Sequence, residues 1–62
     1  MKKGDVVKLK SGGPEMTVND VNEFMKHPGR QMALCQWFDS KDKINTEFFD
    51  PAQLEVVKVD AD

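Results

Sequence analysis

Turn-forming residues cut this sequence into short segments, and that punctuation constrains the fold more than any other feature. Ser11-Gly12-Gly13-Pro14, His27-Pro28-Gly29, Asp39-Ser40-Lys41-Asp42-Lys43 and Asp50-Pro51 stand between the stretches that carry most of the apolar residues. Glycine supplies positive φ and proline cannot donate to a ladder, so such clusters end strands and turn the chain. Short strands at regular spacing with turns between them predict an all-β sandwich or barrel.

The segments themselves read as strands. In Gly4-Asp5-Val6-Val7-Lys8-Leu9-Lys10, Val7 and Leu9 alternate with Val6, Lys8 and Lys10, the pattern of a half-buried strand. Met16 and Val18 alternate with Thr17 and Asn19, so the first two strands form a hairpin about the Gly12-Gly13 turn. Asp20–Arg30 is expected to be a long hairpin connection holding a short helix or a strand extension. Val21, Phe24 and Met25 have helical spacing there, but the stretch soon meets His27-Pro28-Gly29. Gln31–Phe38 is apolar on both faces, as a central strand should be. Its buried parity, Ala33-Cys35-Trp37 or Met32-Leu34-Phe38, stays open. Ile44–Phe49 resumes a strand, Asp50-Pro51-Ala52-Gln53 reads as one capped helical turn, and Leu54–Val59 is the last strand.

Five short strands, a tight first turn, a longer second connection and one helical turn before the last strand predict a small SH3-like barrel. It would be a single domain over residues 1–59, with a frayed acidic tail at 60–62. Closing the sheet would also remove exposed edges.

Size limits the chemistry. A chain of 62 residues buries only about 60% of the surface its unfolded form exposes, so its core is marginal. The lone Cys35 allows no internal disulfide, and one His with one Cys falls short of a structural zinc site, so no metal and no cofactor are expected. His27 sits in a polar loop, Cys35 sits mid-strand among apolar neighbours as a small core hydrophobe, and the acids form no recognisable pair. Catalysis is not expected. Gly12-Gly13 lacks the longer pattern and following helix of a phosphate-binding loop and reads as a turn.

The start, Met1-Lys2-Lys3-Gly4-Asp5, turns polar at once, and no apolar run approaches the ~20 residues that span a bilayer. With one thiol and no export signal, a reducing cytoplasm and no membrane association are expected. The net charge of −2 is not that of a dedicated nucleic-acid binder, although Lys2, Lys3, Lys8 and Lys10 gather at one end of the chain.

The opening Gly-Asp-Val-Val-Lys-Leu-Lys-Ser-Gly-Gly-Pro at 4–14, followed by Met-Thr-Val at 16–18, resembles the YodC-like family of small uncharacterised bacterial proteins. Cys35-Gln36-Trp37-Phe38-Asp39 and the later Phe49, Pro51 and Leu54 are similar to that family's second half, whereas 19–30 matches less well. The resemblance implies a stand-alone barrel and brings no activity, cofactor or catalytic residue with it.

The aromatic pairs Trp37-Phe38 and Phe48-Phe49 must each send one ring to either face of a sheet. Aromatics left on a barrel surface suit peptide grooves, base-stacking platforms or a homodimer interface. Ends, bulges or the long connection could equally cover them. The candidate binding residues are therefore Trp37, Phe38, Phe49, Lys8 and Lys10. The expected partner is a protein of unknown identity. RNA or single-stranded nucleic acid, bound through the lysine-rich edge and the aromatics, is the alternative.

Overall fold

The structure, a computed structural model, describes residues 1–23 and 28–59. The strands are β1 (Val6–Leu9), β2 (Met16–Glu23), β3 (Gln31–Phe38), β4 (Ile44–Phe49) and β5 (Leu54–Lys58), with a 3-10 turn at Pro51–Gln53. The all-β, five-stranded expectation holds, with the helical turn where Asp50-Pro51 placed it. In the second connection, β2 runs on as a strand through Glu23. The helix considered there would fall partly on residues 24–27, which include His27 and lie outside the described residues, as does the expected tail at 60–62.

All strands join one antiparallel sheet in the order β4-β3-β2-β1-β5. The expected closed barrel is not formed. β5 makes its ladder with β1, from Leu9↔Leu54 to Val6↔Lys58, and no register joins it to β4. The sheet therefore keeps two edges. It bends through a bulge in β2 between Val18 and Asp20 and another that leaves Val57 as an extra residue in β5.

Local chemistry sets the corners. Gly12 and Gly13 adopt φ of 112° and 109°, where a side chain would be strained, and the Gly12 N–H donates to Leu9 O to close the first turn. Asp5, almost fully buried, accepts the Lys2 N–H at its Oδ2 (3.0 Å), and its own carbonyl accepts the Val18 N–H. That pair of contacts extends the β1–β2 ladder and folds the N-terminus back. At Asp50 the carboxylate accepts the Ala52 N–H at 3.0 Å and Pro51 takes the first helical position. The Lys10 N–H then binds Gln53 O, which aims β5 at the end of β1.

One apolar layer covers one face of the sheet. Val7, Met16, Val18, Ala33, Cys35 and Leu54 are buried together, with Leu9, Val21, Trp37 and Phe49 packed around them. This settles the parity of β3. Ala33, Cys35 and Trp37 face the core, and Leu34 and Phe38 alternate to the other side. Met32 is buried as well, but outside that cluster.

Candidate interaction surface

The adjacent aromatics separate at the β3–β4 hairpin. Trp37 and Phe49 point into the core layer, their ring centroids 6.1 Å apart and tilted by 57°, an edge-to-face type of contact. Phe38 points the other way and is 65% exposed. Its Cα partner across the ladder is Ile44, 56% exposed, so the two form one apolar pair on the outer face. Phe48 lies half-buried opposite Leu34 on that same face.

The five candidates thus do not share a surface. Trp37 and Phe49 help build the core, and Phe38 stands alone among them as an exposed ring. Lys8 lies in the ladder opposite Glu55 and its Nζ is 3.6 Å from Glu55 Oε1. Lys10 is exposed beyond the end of β1. Lys41 and Lys43 are exposed in the hairpin loop that flanks Phe38 and Ile44. Ile44 escaped sequence reasoning. The length of the Asp39–Lys43 loop was the available signal, since it sets the register that puts Ile44 across from Phe38.

Asp39 holds that loop together. Its Oδ1 accepts the N–H of Lys41 (2.8 Å) and of Lys43 (3.1 Å), and its Oδ2 accepts from Asn45 Nδ2 (3.3 Å). The Lys43 and Lys41 amides, and then Asn45, hold the Asp39 carboxyl below the usual aspartate range. A carboxyl lowered in the fold adds stability above its unfolded pKa, near 3.9, and that stability is lost as pH falls through the folded value. Asp39→Ala is therefore expected to lower the thermal midpoint at neutral pH, with the gap to wild type closing in strong acid. Circular-dichroism melts across pH check this.

Cys35 is fully buried, and desolvation pushes its thiol up from 9.0 to about 11. Among the described residues no group of His, Cys, Asp or Glu is placed to hold a metal ion, and no helix is long and apolar enough to cross a membrane.

The family of uncharacterised small proteins termed DUF2158 matches the chain over residues 2–54, from the N-terminal fold-back through all of β1–β4 to the first residue of β5. The chain belongs to this family. No curated protein and no solved structure matches it. For this DUF2158 chain the matched span contains the whole aromatic hairpin and the Asp50-Pro51 corner, while Glu55–Lys58 of β5 lies beyond it.

Proposed function

We propose that this domain is a non-catalytic protein-interaction module that docks through Phe38 and Ile44. The exposure of that cross-strand pair carries the reading. Two large apolar side chains stand directly opposite each other, on the face turned away from the core. Apolar area left in water is unfavourable by roughly 25 cal/mol per Å², and a partner that covers it recovers that free energy. The loop beside the pair carries Lys41, Asp42 and Lys43, a mixed-charge rim of the kind that surrounds apolar anchors in interfaces. Charge also favours a protein over a nucleic acid, because the net charge of the chain is −2.

Two finer readings belong with it. The strand order and the 3-10 turn before β5 support an opened SH3-like barrel. The opening at 4–14 supports kinship with the YodC-like proteins, and the single thiol supports a cytoplasmic setting.

The test compares tagged wild type with Phe38→Ser and Ile44→Ser in affinity capture from bacterial lysate, with and without nuclease. Each variant is expected to keep its stability within about 0.5 kcal/mol, since neither residue is buried. Truncating a docking anchor costs about 2 kcal/mol, so recovery of the partner should drop roughly 30-fold. Equal recovery of one protein by wild type and both variants would remove the site from this face. Capture that vanishes with nuclease would replace the reading with nucleic-acid binding.

A further inference from the structure

An open sheet has two edges, and they are not protected alike. The stretch of β2 beyond Val18 has β3 on one side and, among the described residues, no strand on the other. Along it, Asp20 Oδ1 accepts the Val21 N–H at 2.9 Å and Asn22 Oδ1 accepts the Glu23 N–H at 2.8 Å. On the edge strand β4, Glu47 Oε1 accepts the Phe48 N–H at 3.0 Å. In each case the side chain of the preceding residue occupies a backbone donor that an incoming strand would need. Natural sheets block exposed edges by this general strategy of local obstruction.

β5 differs. The Leu54 N–H is given to Pro51 O in the 3-10 turn, and beyond it, among the described residues, no side chain caps an N–H of β5. Its Val56 and Val57 are 42% and 41% exposed, and Val59 just beyond is 69% exposed. The pattern Leu54-Glu55-Val56-Val57-Lys58-Val59 is complementary to itself when read antiparallel. Centring the pair between Val56 and Val57 sets Val56 opposite Val57, Glu55 opposite Lys58 and Leu54 opposite Val59. Sliding by one residue either way sets Lys58 against Leu54 or Val56, and Glu55 against Val57 or Val59.

The bulge makes the centred register possible. A regular strand would put residues 55 and 58 on opposite faces. Here Glu55 pairs with Lys8 and Lys58 with Val6, two residues of one face of β1, because Val57 is the extra residue between them. Glu55 and Lys58 therefore share a face and can meet their counterparts across a twofold axis normal to the sheet, the arrangement of a self-complementary interface.

We propose that the β5 edge pairs with the β5 edge of a second copy of this chain, antiparallel about the Val56–Val57 step, with Glu55 facing Lys58 on both sides of the axis. So short an edge falls at the small, transient end of interface sizes, below roughly 1,200 Å², and the dimer forms only at high protein concentration.

Sedimentation velocity on the full chain, from about 10 µM to about 1 mM, spans the range in which an interface of that size assembles. Wild type is expected to shift from monomer to dimer as concentration rises. Glu55→Lys sets lysine against Lys58, and Lys58→Glu sets glutamate against Glu55, so each variant alone should stay monomeric. An equimolar mixture of the two restores both opposite-charge contacts and should dimerise at least as well as wild type. Circular dichroism checks that both variants fold, and Phe38→Ser, which tests the docking face, should leave the dimer unchanged. A wild type that stays monomeric throughout overturns the proposal. So does a dimer indifferent to both charge reversals, or one abolished by Phe38→Ser.

Discussion

Leu54→Ala is expected to leave much of the chain unfolded at physiological temperature. Leu54 is the first residue of β5, buried in the core opposite Leu9, and the 3-10 turn ends on it. Removing a buried leucine side chain beyond its Cβ costs about 2–5 kcal/mol through lost transfer free energy and the cavity left behind. A single core in a domain below about 70 residues rarely supplies more than ~3–5 kcal/mol, so the two quantities are comparable. Here no disulfide adds to that core. Urea titration followed by tryptophan fluorescence reads the change through Trp37, which packs against the same cluster. Val59→Ala provides the contrast. Its side chain is mostly in water, and its midpoint should match wild type within the ~0.5 kcal/mol typical of surface changes. Equal, small losses in both variants would mean that β5 does not close the core.

The second large effect is chemical. The native Cys35 thiol should react with iodoacetamide at least roughly tenfold more slowly than the same thiol in urea, because the thiolate is the nucleophile and the raised pKa lowers its fraction at neutral pH more than it raises its nucleophilicity. Burial of the sulfur slows the reaction further. The same shift makes stability depend on pH in the alkaline range. The thiol is raised in the fold, so its neutral form is favoured there, and the stability associated with it is complete below the unfolded value. That stability is lost as pH rises from about 9 toward about 11. Melts of wild type and Cys35→Ala between those limits check the sign: the wild type should lose stability with pH more steeply than the variant. Labelling of native Cys35 at the unfolded rate would place it on the surface.

Much of this architecture was legible in the sequence because its signals are local. Gly12-Gly13 and Asp50-Pro51 mark corners whatever surrounds them, and the alternation of Met16 and Val18 selects a face without help from the rest of the chain. The parity of β3 was hidden because both of its faces are apolar, and only the neighbours of Cys35 decide which is inside. The open edge was hidden for a related reason. Whether β4 meets β5 depends on the summed twist and bulges of every strand, which no single segment encodes. Trp37 and Phe38 show the limit for sites: the sequence requires them to part, and the fold decides that the phenylalanine is the one left in water.

The ladder between β1 and β5 also bears on how the protein is made. It joins Val6–Leu9 to Leu54–Lys58, so β1 has to wait for a strand far along the sequence before its core is covered. β1, β2, β3 and β4 are sequential neighbours and can pair in the order in which they leave the ribosome. That partial sheet lacks Leu54 and carries Val7 and Leu9 beside an unfilled place. A chain cut just short of Leu54 therefore exposes apolar surface that the folded domain hides, and docking of β5 on β1 is the step that covers it.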